Sequence, residues 1–147
     1  MKKVLSILGH LWMFPNTLLI SLLVIPLSML RQISYYGRSE NGIIFEIKPK
    51  GWAGKLLTRF DKVGISLGHF IGIREDFLGV RVLVFHEDRH VQQQMLFGIF
   101  HLPAYVLCHG ILWVYAKVTN KTDFSAYRSN PFEVDARRYA GRRALNK

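Results

Sequence analysis

From Val4 to Leu30 the chain runs 27 residues without a single Asp, Glu, Lys or Arg. A helix crosses a bilayer core with ~20 mainly apolar residues, so this stretch is long enough to insert. It is also longer than the buried helices of most small soluble domains. Lys2 and Lys3 precede it, and Arg31 and Arg38 follow it. A basic start before an apolar run also describes a signal peptide, but the run is too long and no small-x-small cleavage site closes it. Pro15 and Pro26 lie inside. Phe14-Pro15-Asn16-Thr17 reads as a break after which a helix restarts with Asn16 or Thr17 as cap. The expectation is one kinked span or a helical hairpin. Lys2 and Lys3 stand against Arg31, Arg38, Lys48 and Lys50 on the other side. The positive-inside tendency therefore places the rest of the chain on the cytoplasmic side.

Composition agrees with this setting. The 147 residues are 50% hydrophobic and carry a formal net charge of +10. Such a chain is too apolar for disorder. With Cys108 its only cysteine, it has no disulfide framework. The expected organisation is a hydrophobic membrane-associated segment over residues 1–34 and one compact domain over residues 35–147. The basic tail, Arg137, Arg138, Arg142, Arg143 and Lys147, suits anionic lipid headgroups beside apolar segments. Nucleic acid is not expected.

Beyond the apolar run, Tyr35 to Gly42 is turn-rich, with Asn41-Gly42 a hairpin dipeptide. Ile43–Lys48, Lys55–Phe60 and Ile65–Ile73 read as extended pieces of a small antiparallel sheet. Ile65–Ile73 is a candidate edge for an added peptide strand. From Val80 the pattern turns helical. A second apolar stretch, Met95 to Val118, contains Gly98, Pro103 and Gly110, which predicts a turn near His101 and a new helix to Val118. Asn130-Pro131 starts the last helix as cap and first residue.

The chemistry concentrates in His86-Glu87-Asp88-Arg89-His90. Residues four apart on a helix differ by about 40° around the axis and one turn in height, so both imidazoles can reach one ion. Glu87 lies beside that ion, where a carboxylate can take a proton from an activated water. Two neutral imidazoles and a carboxylate suit zinc with an open fourth position. Candidates for the third ligand are His101, His109, Asp123, Glu133 and Asp135. Glu133 shares a helix face with Ala136 and Ala140, small residues that allow close helix approach. Asp135 falls in line with Arg138 and Arg142, on a charged face expected to be solvated. Glu133 is therefore the better ligand. A third histidine at metzincin spacing would occupy position 96, which is Leu.

This pattern resembles the gluzincin branch of zinc metallopeptidases in a minimal form. Leu67-Gly68-His69, His86-Glu87-x-Arg89-His90-x-x-Gln93, Phe100-x-Leu102-Pro103-Ala104-Tyr105 and Asn130-Pro131-Phe132-Glu133-x-x-Ala136 resemble a group of small bacterial HExxH proteins. The resemblance implies an α+β fold with a zincin-type active-site helix and a C-terminal ligand helix. It also implies Zn2+ on His86, His90 and Glu133, with Glu87 as general base. Larger gluzincins often have Asp four residues after the ligand Glu; here position 137 is Arg.

The implied activity is peptide-bond hydrolysis on a peptide or protein substrate. Tyr127, Arg128, Tyr139, His101 and His109 are the candidates for oxyanion or substrate contacts. The alternative is a non-catalytic zinc-binding membrane interaction protein. An intramembrane protease is disfavoured here by the charges of Asp88 and Arg89 and the run Gln92–Gln94.

Overall fold

The structure, a computed structural model, describes residues 2–145; the tail residue Lys147 lies outside them. The fold is α+β. Helix α1 (Lys2–Met29) leads into strands β1 (Ile33–Arg38) and β2 (Ile43–Ile47), helix α2 (Trp52–Arg59), and strands β3 (Gly64–Leu67) and β4 (Phe70–Arg74). Four helices complete it: α3 (Arg81–Phe97), α4 (His101–Val118), the short α5 (Ala126–Ser129) and α6 (Pro131–Leu145).

The four strands lie in the order β1-β2-β4-β3. The sheet is mixed, not antiparallel as expected, because β2 runs parallel to β4 with Ile44 opposite Ile71. The crossover that a parallel pair needs is provided by α2 and β3. Strand alternation divides the core in two. Ile44, Ile71 and Ile73 face α3 and pack with Val91 and Met13. Ile33 and Ile47 pack on the other side with Leu27 of α1 and Ala53 and Leu57 of α2.

Three local expectations are corrected. Lys55–Phe60 is not extended: it belongs to α2, whose apolar residues Ala53 and Leu57 are one turn apart and buried. Ile65–Ile73 is two antiparallel strands, folded back at Gly68-His69, where Gly68 takes a φ of 58°. The strand β1 occupies most of the stretch read as turn, which narrows to residues 39–42.

Helix α1 is continuous through Pro15 and Pro26. The two side chains expected to cap a restart are used across the fold instead. Asn16 Nδ2 donates to the carbonyl of Gly98 at 3.0 Å, and Thr17 Oγ1 lies 2.6 Å from His69 Nδ1. Met13 between them is fully buried, and burying a side chain of that size contributes about 2 kcal/mol. Gly98 has a φ of 56° and ends α3, and a Cβ there would collide with the Trp12 indole. A single 3-10 turn, Gly98–Phe100, then redirects the chain into α4, close to the expected turn.

Val4–Met29 and Arg81–Val118 are both long and apolar enough to cross a membrane, and in the apolar 18-residue window of each only 11% of the residues are buried within the protein. The outer surface of α1 presents Leu8, Leu11, Leu19 and Leu22, and that of α4 presents Leu102, Val106, Ile111 and Val114, all more than half exposed. A core helix would hide such residues.

Candidate metal centre

Helix α3 carries His86, Glu87 and His90 within about one turn, and α6 packs directly across it. The close approach follows from Ala136 and Ala140, which are 0% and 1% exposed. The start of α6 is fixed by Asn130, itself wholly buried. Its Oδ1 accepts the amide of Phe132 at 3.1 Å, while its Nδ2 donates to the carbonyl of Tyr105 at 3.1 Å. This cap sets Glu133, on the first turn, between α3 and α4.

His86 Nε2 and His90 Nε2 are 3.2 Å apart. Glu133 Oε2 is 3.3 Å from His86 Nε2, and Glu133 Oε1 is 3.4 Å from His90 Nε2. Donors bound tetrahedrally to zinc at ~2.0–2.1 Å are separated by about 3.3 Å. The two imidazoles are spaced for such a site, each faces a different Glu133 oxygen, and one donor atom from each residue lies within 4.8 Å of the others. Glu133 Oε1 also accepts the Tyr105 hydroxyl at 2.9 Å. Glu133 Oε2 is buried; it makes no well-formed hydrogen bond, and its nearest basic neighbours are the His86 imidazole at 3.3 Å and Arg137 Nη1 at 3.9 Å. Among the described residues, His86, His90 and Glu133 form the group of donors able to hold a metal ion. Burial works against the ionised form of Glu133, but the facing imidazoles of His86 and His90 outweigh it and hold the carboxyl well below the usual carboxylate range.

The surroundings orient these donors. His90 Nδ1 lies 2.8 Å from Gln93 Oε1, which leaves Nε2 free for an ion. Gln93 Nε2 donates to the carbonyl of Phe132 at 3.0 Å and to Asp135 Oδ2 at 2.9 Å. Asp135 is therefore not simply on a solvated face. Arg89 Nε binds it at 2.7 Å and, with burial opposing, keeps its pKa low. Asp88 is 3% exposed and accepts from Ser39 Oγ at 2.5 Å, Asn41 N at 2.9 Å and Asn41 Nδ2 at 2.8 Å. The two charges inside the motif thus tie α3 to the β1–β2 turn and to α6.

Glu87 is 5% exposed and lies against β3. A methyl group at Gly64 would come within 2.7 Å of Glu87 Oε1, so that glycine makes room for the carboxylate. The cleft before the three donors is bounded by β3, by His101, Leu102 and Tyr105 of α4, and by Lys62 and Tyr127. Lys62 Nζ lies 2.8 Å from the centroid of the Tyr127 ring. Burial, and then the negative Glu133, push the Tyr127 phenol up, so it stays a hydrogen-bond donor.

Of the other residues singled out from the sequence, His101 lines this cleft, with an Nε2 that has no partner. Tyr139 instead accepts from Gln92 and Arg143 at 3.0 and 3.1 Å. Arg128 is exposed and its carbonyl accepts from Arg137. His109 is further along α4 and outside the cleft. Lys62 and Gly64 were not singled out, and Tyr105 stood only within the Phe100–Tyr105 segment with no role of its own, since nothing in their local sequence ties them to residues 86–90. Compared with known proteins, the chain matches no family model, no curated protein and no solved structure.

Proposed function

We propose that this protein is a membrane-associated zinc metallopeptidase of minimal gluzincin type. The observation that supports the reading is the convergence of His86, His90 and Glu133, with one donor atom from each within 4.8 Å of the others and the two imidazole Nε2 atoms 3.2 Å apart. His86, His90 and Glu133 would hold the ion. When bound, zinc would supply Lewis acidity, making a water nucleophilic near neutral pH and polarising the scissile carbonyl.

The remaining work falls to the chain's own groups. Glu87 takes the proton from the attacking water and delivers it to the leaving nitrogen. Tyr127, protonated and facing the cleft, donates to the developing oxyanion. Tyr105 steadies Glu133 and His101 borders the substrate. The strand β3 is the outer strand of the sheet on the cleft side, and an extended peptide adding to it would pass the donors. The exposed apolar surfaces of α1 and α4 support a position at a bilayer. The charge distribution around α1 favours the cytoplasmic side for the site.

The test is metal content and peptidase activity of the full chain and two variants. Wild type should bind one zinc and hydrolyse peptide. His90→Ala should lose both. Glu87→Gln should keep the zinc and lose hydrolysis. Bound zinc with no hydrolysis by wild type across a broad peptide library would instead favour the non-catalytic zinc-binding membrane interaction protein.

A further inference from the structure

A second cleft lies on the sheet face opposite α3. Its floor is Phe45, Ile47 and Phe70, one wall is the second half of α1, and the other is α2. Its lining carries essentially no polar surface. Gly72 keeps the floor low, since a Cβ there would meet Ile47 Cδ1 at 2.6 Å. The cleft is half open, and its mouth is formed by Trp52 and Leu56, which are 50% and 46% exposed.

Helix α2 explains what such a mouth faces. At about 100° per residue, the order around its axis is Ala53 and Leu57 inward, then Trp52 and Leu56, then Lys55 and Arg59. Residues 48–62 carry Lys48, Lys50, Lys55, Arg59 and Lys62 against a single acid, Asp61. Lys48, Lys50, Lys55 and Arg59 are exposed. None of the four has an ion-pair partner among the described residues. An aromatic and aliphatic shoulder flanked by cations is the pattern of a helix lying in the headgroup layer, and clustered Lys and Arg beside a membrane segment attract anionic lipid. The other wall continues into the exposed apolar face of α1, where Leu19 and Leu22 are 66% and 73% exposed.

We propose that this cleft binds an acyl chain of an anionic phospholipid, with the Lys48, Lys50, Lys55 and Arg59 cluster on its headgroup. The cleft supplies an apolar slot, the cations supply the charge complement, and α1 connects both to the bilayer. Ile65 and Leu67 line this cleft and the metal-site cleft alike, so a bound chain would pack against the strand that borders the donors. The proposal rests on membrane association and is independent of the zinc.

The experiment uses the full chain in vesicles whose phosphatidylglycerol or phosphatidylcholine carries a photoactivatable diazirine in its acyl chain, with adducts mapped by mass spectrometry. Adducts at Val24, Phe45, Leu56 and Leu57 are expected, about tenfold more abundant from phosphatidylglycerol. Ala53→Trp should fill the slot and remove these adducts while leaving those at Leu19 and Leu22. If that variant fails to fold, Leu56→Trp at the mouth takes its place. Lys55→Glu with Arg59→Glu, both on the surface, should bring the two lipids to near parity. Adducts confined to the outer faces of α1 and α4, insensitivity to Ala53→Trp, or equal yields from both lipids with wild type would overturn the proposal. Failure of wild type to float with any vesicle would sink the membrane reading itself.

Discussion

Gln93 Oε1 lies 2.8 Å from His90 Nδ1, one turn along the same helix, and the amide of Gln93 is held in turn by Phe132 and Asp135 of α6. The helix bearing the two imidazoles and the helix bearing the carboxylate are therefore locked together through one side chain, beside the donors. Partners of this kind fix the tautomer and orientation of a ligating histidine.

Replacing Gln93 with Leu should weaken zinc binding about 10–100-fold while the fold survives. Competition against a chromophoric chelator measures this. Unchanged affinity would show that His90 is oriented by packing alone.

Gly64→Ala addresses the base and not the ligands. The new methyl would press on Glu87 Oε1 from 2.7 Å, displacing the carboxylate. A displacement of order 1 Å costs about 100-fold in rate. Activity should fall by that order with zinc content unchanged, read by steady-state hydrolysis and metal analysis on one preparation.

Asp88 does structural work from within the motif. Asp88→Ala would leave Ser39 and the amide and side chain of Asn41 without their acceptor. The expected loss is about 3 kcal/mol of stability, measured by denaturant unfolding in detergent. Asp88→Asn should recover part of it, since one oxygen remains.

His69 makes the seating of α1 sensitive to pH. Its ring stacks on His10 at a centroid distance of 5.0 Å, with His10 Nδ1 2.8 Å from His69 Nε2. Burial, and then the neighbouring His10, lower its pKa from the ordinary 6.5. The folded state thus favours neutral His69, and the undocked chain takes up the proton more readily. The stabilisation is present above pH 6.5 and is lost as pH falls towards the depressed folded value. Hydrogen exchange at the Gly68-His69 turn should quicken below pH 6.5, and His69→Gln should flatten that dependence.

The metal-donor geometry was largely legible because its physics is local. His86, Glu87 and His90 lie within one helical turn, and the choice of Glu133 over Asp135 follows from which face of α6 has alanines. What surrounds them was not legible. Tyr105, Lys62 and Gly64 reach the site from three other elements, and no periodicity links positions so far apart. Asp135 stays partly exposed, as its arginine neighbours suggested, but the partner that holds it, Arg89 of α3, comes from another helix and was not legible. The helix α2 was read as extended because the window began at Lys55, after Trp52 and Ala53 had already set its repeat.

The sequence alone determined the apolar length of α1, the pairing of two imidazoles on one turn, and the helix start at Asn130-Pro131, because each depends on neighbours within a few bonds or one helical turn. Only the tertiary structure decided that α1 runs unbroken through its prolines, that β2 lies parallel to β4, and that Tyr105 and Lys62 come to the cleft beside Glu133. Those outcomes depend on which distant surfaces exclude water together and which buried polar groups find partners, as Asn16 does at Gly98 and Asn130 at Tyr105.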